Sequence, residues 1–163
     1  GVPEALKAFK EQGYKLVVIT NQAGVARGYY TEDDVKELHR YMNELLEKAG
    51  AGIDAFYYCP HHPEHGIGKY KIQCHCRKPE TGMFEMAEQD FDVDKSKSWM
   101  IGDKLIDIEA GRNYGVRTVL VGTGYGAGVH EEQKKQGDFP YDLYAEDLLE
   151  AYDEINRETA GNL

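Results

Sequence analysis

Positive charge is scarce in this sequence. Nineteen Lys and Arg stand against 29 Asp and Glu, which leaves a net charge of −10 at pH 7. A nucleic-acid binder needs a basic face to displace counterions, so this balance argues against nucleic acid as a partner. Long apolar stretches are also missing. The longest aliphatic run, Leu16 to Ile19, has four residues, against the ~18 or more that mark a transmembrane helix. No charged stretch followed by an apolar one opens the chain, so no signal peptide is visible. Cysteines number only three, and an odd count without a secretion signal argues against a disulfide framework and for the cytoplasm. Disorder is excluded as well, because 41% hydrophobic residues is an ordinary globular share. The chain begins at Gly1 rather than Met, which raises the expectation of a processed or truncated N-terminus.

The 163 residues suit one domain, residues 1–163. Pro3 fits a first helical turn, and Ala5, Leu6 and Phe9 follow at helical spacing before Gly13. Lys15 to Thr20 reads as a strand buried on both faces, a mark of parallel sheets. Thr31-Glu-Asp-Asp34 is a capping sequence. Val35, Leu38, Met42, Leu45, Leu46 and Ala49 then outline one face of a long helix that Gly50 ends. Ile53 to Cys59 reads as a strand and residues 59–79 as irregular. Met83, Phe84 and Ala87 mark a helix after Thr81. A strand over Ser98 to Gly102, a helix over about 105–114 and a strand over Arg117 to Val121 come next. Gly122 to Gly128 reads as a flexible loop, and Leu148, Leu149, Tyr152 and Ile155 as a closing helix. Alternating helix and strand predicts right-handed βαβ units in a doubly wound, Rossmann-like α/β sheet.

Ligands in such sheets sit beyond the carboxyl ends of the strands. After the first strand stands Thr20-Asn21-Gln22-Ala23-Gly24, whose hydroxyl, amides and free N–H groups can cradle a phosphate. After the Ser98 strand stands Gly102-Asp103-Lys104, with Asp107 four residues beyond Asp103. A carboxylate there can hold Mg²⁺, and the neighbouring Lys104 can meet an anion. Arg77 and Lys78 put two cations side by side in an otherwise acidic protein. Read alone, these segments fit a polar turn, a helix-start acid favoured by the helix dipole and a solvated surface pair.

The three cysteines, Cys59, Cys74 and Cys76, fall within 18 residues of one another, among His61, His62, His65 and His75. Three thiolates and one imidazole form a usual closed, tetrahedral zinc set. Four protein ligands leave no open position, so such a zinc is structural and folds a loop poor in apolar residues. Spacing alone leaves the histidine undecided.

Together, Thr20-Asn-Gln-Ala-Gly-Val-Ala-Arg-Gly28, Cys59-Pro-His-His-Pro63, Cys74-His-Cys-Arg-Lys-Pro79 and Gly102-Asp-Lys104 resemble the haloacid dehalogenase-like phosphohydrolase superfamily. Within it they resemble the branch that takes the 7-phosphate from a heptose 1,7-bisphosphate. The resemblance runs from residue 1 to about 155. It implies that Thr20 binds the phosphoryl group, that Lys78 offsets its charge and that Asp103 holds a catalytic Mg²⁺. It implies further that Asn21, Gln22, Ala23, Arg27, Arg77 and Lys104 contact substrate. His61 becomes the fourth ligand beside Cys59, Cys74 and Cys76, in a zinc loop over residues 59–79. The implied partner is a small sugar bisphosphate, acted on by a monomer in the synthesis of a surface-glycan or lipopolysaccharide precursor.

That chemistry passes through an aspartyl-phosphate, formed on an Asp-x-Asp motif at the end of a first, central strand. Only 19 residues precede Thr20, and they read as helix and strand. Asp92-Val-Asp94 has the bare pattern but follows no buried strand and reads as a turn, while Asp33-Asp34 reads as helix capping. The expectation is therefore a chain that lacks its first strand and, with it, the nucleophile and the acid–base aspartate, and that is inactive alone. Two other readings stand beside the heptose bisphosphate one: a histidinol-phosphate phosphatase, and a non-catalytic, zinc-stabilised module that binds phosphate esters. The segment Gly24-Val-Ala-Arg-Gly28 and the long loop from His62 to Gln73 favour the heptose substrate.

Overall fold

The computed structural model describes residues 1–161. Its helices are α1 (Val2–Glu11), α2 (Ala23–Ala26), α3 (Glu32–Lys48), α4 (Gly82–Asp90), α5 (Leu105–Tyr114), α6 (Gly126–Gln136) and α7 (Leu148–Gly161). Its strands are β1 (Val17–Asn21), β2 (Ala55–Cys59), β3 (Trp99–Gly102), β4 (Arg117–Val121) and β5 (Leu143–Ala145). Every strand pairing is parallel, as the α/β reading requires. The strands fall into two groups, β1-β2 and β3-β4-β5, rather than one continuous sheet. One edge of β1 and one edge of β3 have no strand partner among the described residues.

Burial follows from that division. The apolar strand β4 pairs on both sides, and Thr118 to Val121 are buried. The equally apolar β1 pairs on one side, and all five of its residues are only half-buried. This corrects the expectation of a strand covered on both faces. β3 shows the same half-burial.

The largest apolar cluster joins Phe9 of α1, Leu16, Val119 and Val121 of β4, Ala145 of β5, and Ala151 and Ile155 of α7. Phe9 meets Tyr14 and Tyr152 edge to face, with centroids 5.5 and 5.0 Å away, the arrangement an aromatic quadrupole favours. Ile155 is fully buried, so trimming it to Ala should cost about 2–5 kcal/mol.

Helix α3 starts as its sequence predicts. Thr31 accepts the Asp34 N–H at 3.1 Å, and Asp34 accepts the Thr31 N–H at 2.9 Å. Its buried face differs from the expected one. Val35 and His39 are buried, while Leu38, Met42 and Leu45 are exposed. One polar contact and one ring stack hold the helix in this rotation. Asn43 accepts the Ile53 N–H at 2.6 Å and reaches its carbonyl at 3.3 Å. His39 stacks on Phe56, 4.5 Å away and 17° from parallel. Desolvation holds the His39 imidazole below its ordinary pKa.

Beyond β4 the chain is more ordered than expected. The stretch read as a flexible loop leads at Gly126 into α6, and β5 follows, neither of which the residue pattern announced. Asp94 accepts the Ser96 N–H at 3.0 Å and starts a short 3₁₀ turn, in keeping with Asp92-Val-Asp94 as a turn.

Candidate active site and metal centre

Cys59 closes β2, fully buried, and its carbonyl accepts the Gln22 N–H at 2.7 Å, which ties the end of β2 to the end of β1. Cys74 and Cys76 return to it. Cys59 Sγ lies 3.2 Å from Cys74 Sγ and 3.7 Å from His61 Nδ1. Cys76 Sγ lies 3.2 Å from Cys74 Sγ and 3.5 Å from His61 Nδ1. All four ligand atoms sit within 4.8 Å of one another. Bonds of ~2.3 Å to sulfur and ~2.0 Å to nitrogen would put tetrahedral ligands about 3.5–3.8 Å apart, so the cluster could hold a metal ion with shifts of a few tenths of an ångström. The thiols repel shared ionisation. A hydrogen bond from Cys76 draws the Cys59 pKa down to about 5 against the effect of burial. The same contact, together with burial, pushes Cys76 up. A cation removes that conflict by favouring every thiolate at once.

The other candidate histidines face elsewhere. His62 Nδ1 accepts the N–H groups of Glu64 and His65 at 3.1 and 3.0 Å. His75 faces Glu80 and Glu85. The turn bearing Cys74 and Cys76 packs closely on the start of α4, where the Gly82 N–H donates to the His75 carbonyl at 2.9 Å. A Cβ at Gly82 would lie 2.5 Å from that oxygen, so only glycine permits the approach.

The intervening loop is fastened to its surroundings without metal. The Ile67 N–H donates to Ala26 O at 2.7 Å. The hydroxyls of Tyr58 and Tyr70 both donate to the Glu32 carboxylate, at 2.8 and 2.7 Å. The Tyr70 hydroxyl first, then Tyr58, holds Glu32 below the usual carboxylate range. Burial, then Glu32, pushes Tyr58 up to about 12. Nothing in the residue spacing pointed to this Tyr-Glu-Tyr contact.

Two residues after Cys76 comes Lys78, which is buried rather than solvated: its side chain is 9% exposed. Its ammonium donates to Asp107 Oδ1 at 2.5 Å and to Ile19 O at 3.2 Å. In a parallel strand alternate residues turn their peptide groups to opposite neighbours. Gln22 faces β2, so Ile19 presents its carbonyl to the unpaired edge of β1. Lys78 therefore sits at that edge. Asp107, 7% exposed, also accepts the Lys104 N–H at 3.2 Å at the start of α5. Its position four residues after Asp103 was legible in the sequence, but its partner was not.

Thr20 is the next-to-last residue of β1, adjacent to Ile19. Gln22 Nε2 donates to Thr20 Oγ1 at 3.2 Å, and Tyr30 donates to Gln22 Oε1 at 2.6 Å. The Tyr30 ring occupies the space a side chain at Gly24 would fill. Asn21 was expected to face substrate, yet its carboxamide holds Lys78. Nδ2 donates to Lys78 O at 3.3 Å, and Oδ1 accepts the Lys78 N–H at 2.9 Å. Ala23 opens the short helix α2, and Arg27 stands exposed beyond it. Asp103 lies at the end of β3 and accepts the Tyr125 N–H at 3.2 Å. The Lys104 ammonium rests over the Tyr125 ring, 4.9 Å away.

Arg77 lines a cavity of about 160 Å³ with Pro63, Gln73, Lys78 and Glu80. Its Nη1 is buried and has no hydrogen-bond partner among the described residues. His62 titrates below its ordinary value, through desolvation first and then the positive charges of Arg77, His65 and Arg27. Arg77 and Arg27 thus bring two fixed positive charges to one region of an acidic protein. The arrangement can receive an anion at a strand end, offset its charge with Lys78 and accept a divalent cation on Asp103.

Residues 75–151 match a model of HAD-hydrolase-like proteins. The chain is 46% identical over 136 residues to a D-glycero-beta-D-manno-heptose-1,7-bisphosphate 7-phosphatase of Haemophilus ducreyi, covering 82% of this chain and 74% of that protein. It is 49% identical over 121 residues to the corresponding D-glycero-alpha-D-manno enzyme of Burkholderia mallei, covering 74% of this chain and 64% of that one. The crystal structure of D,D-heptose 1,7-bisphosphate phosphatase from B. bronchiseptica, complexed with magnesium and phosphate, superposes with a TM-score of 0.79 at 31% identity, covering 97% of this chain and 83% of that one. The chain thus belongs to the haloacid dehalogenase-like hydrolases and, within them, to the heptose-1,7-bisphosphate 7-phosphatase family of phosphate-ester hydrolases.

Proposed function

We propose that the protein removes the 7-phosphate of D-glycero-D-manno-heptose 1,7-bisphosphate, with Mg²⁺ on Asp103 and zinc in the Cys59-His61-Cys74-Cys76 centre. The relatives carry this activity in their names for both anomers, and the proposal concerns the phosphate common to the two. One observation carries it: a buried lysine ammonium fixed at the unpaired edge of β1, within one residue of Thr20. A buried cation is retained where it meets a negative charge.

In this reading a strand bearing Asp-x-Asp pairs between the open edges of β1 and β3, and residues 1–163 with the loop 59–79 form one domain around it. That strand supplies the nucleophile and the acid–base group. The Thr20 hydroxyl, turned by Gln22, donates to the transferring phosphoryl group. Lys78 offsets the charge that builds on its oxygens. Arg77, with a buried N–H free, and Arg27 bind the phosphate that is not transferred. Magnesium, when bound, neutralises phosphoryl charge from the side of Asp103. Zinc has a closed ligand set and only holds the loop that carries Arg77 and Lys78.

The test is phosphate release by a chain that includes the Asp-x-Asp strand, with Mg²⁺, from heptose 1,7-bisphosphate and from histidinol phosphate. Release from the heptose substrate at the higher kcat/KM is expected. Equal or faster release from histidinol phosphate, or binding of both without release, refutes the assignment.

A further inference from the structure

We infer that Asn21 is the positioning residue of Lys78, rather than a contact for substrate; this rests on the phosphatase reading above. One carboxamide serves both main-chain groups of Lys78, across 57 residues of sequence. A primary amide can donate and accept at once, as a neighbouring peptide group would. Aspartate could keep the bond from the Lys78 N–H but would repel its carbonyl, alanine would leave both groups unmet, and glutamine would push Lys78 outward by a methylene. The Lys78 ammonium is held by Ile19 of the same strand and by Asp107. Lys78 is thus fastened to β1 at both ends, its main chain to residue 21 and its Nζ to residue 19.

Lysine is a poor positional device by itself, since its long stem carries more rotamer freedom than almost any other side chain. Fixing both ends removes that freedom. The metal-ligand position Cys76 anchors the chain two residues earlier, so Asn21 is the second anchor and the one that belongs to the phosphate-facing strand. The tripeptide at the end of β1 then divides its labour. Thr20 faces the reacting group, Gln22 turns the threonine and Asn21 aims the lysine.

The experiment compares Asn21→Ala and the near-isosteric Asn21→Asp in the full-length enzyme, each alone and combined with Lys78→Gln. Misplacing a charge by about 1 Å costs on the order of 10²-fold in turnover. Asn21→Ala should therefore lower kcat by about 10–100-fold and leave KM within about threefold. In the Lys78→Gln background the same change should cost less than about twofold, because its target is gone. A raised KM with kcat intact, or effects that multiply in the double variant, overturns the inference in favour of substrate contact.

A second readout needs no turnover. Acylation of Lys78 by an N-hydroxysuccinimide ester, followed by peptide mass spectrometry, should be slow in the parent protein and at least about tenfold faster in both Asn21 variants. Exposed Lys104 serves as the internal standard. Unchanged Lys78 labelling overturns the inference even if activity falls. If the parent enzyme releases no phosphate, the phosphatase reading fails, while the labelling still decides what Asn21 does.

Discussion

Replacing Asp107 with Ala should be among the most destabilising single changes available in this chain. Lys78 and Asp107 are 9% and 7% exposed, so the pair is effectively out of water. Removing one member of a buried pair strands the other charge, at about 3–5 kcal/mol. Asp107 also accepts the Lys104 N–H at the start of α5, and loss of such a cap costs about 1 kcal/mol more. The sum, about 4–6 kcal/mol, is a large share of the ~5–15 kcal/mol that holds a domain together. At roughly 2–4 °C per kcal/mol for a chain of this size, the melting temperature should fall by about 10–20 °C. Urea denaturation gives the free energy directly. The decisive comparison is the double variant Lys78→Met, Asp107→Leu. Hydrophobic replacement of both partners of a buried pair is often neutral, so the double variant should recover most of the loss while losing catalysis. An Asp107→Ala cost below about 1 kcal/mol would refute the claim that the pair is out of water, and a double variant no more stable than the single one would show that the ion pair itself stabilises the fold.

Other outcomes follow from the same geometry. Burial lowers the pKa of His39, so the unfolded chain takes up its proton first and stability should fall as pH drops below about 6.5. His39→Gln should flatten that part of the stability–pH curve measured by urea titration, and an unchanged slope would count against it. The purified protein should carry one zinc per chain by atomic emission, and Cys76→Ser or a strong chelator should lower both metal content and melting temperature. Gly24→Ala places a Cβ 2.3 Å from the Tyr30 ring. Because Tyr30 is part-exposed and can swing away, folding should survive with a loss of less than about 1.5 kcal/mol, while phosphate release by the full-length enzyme drops as Gln22 loses its donor.

The elements with strong local signals were legible. The Thr31–Asp34 capping box, the aliphatic run of β1 and the Cys/His spacing each announce themselves within a few residues. What escaped depends on contacts distant in sequence. Leu38, Met42 and Leu45 have helical spacing, but the rotation of α3 is decided by Asn43 on Ile53 and His39 on Phe56. Strand β5 is three residues long, too short for alternation to show. Lys78 beside Arg77 looks like a solvated pair until Asp107 and Ile19 are brought to it. Asn21 sits in a run of phosphate-binding residue types, and only the fold reveals that its carboxamide faces Lys78.

The ligands of the metal centre come in two short groups at the ends of one loop, residues 59–61 and 74–76. A metal joining them acts as a cross-link across about 15 residues, and closing a loop of that length removes about 3 kcal/mol of chain entropy from the unfolded state. That gain is confined to a segment with few apolar side chains to order it. The ion is to this loop what a disulfide is to a small secreted domain. Unlike a disulfide, a zinc ion bound there would form under reducing conditions and would be lost when free zinc falls, so that the order of the loop leading into Arg77 would follow metal supply.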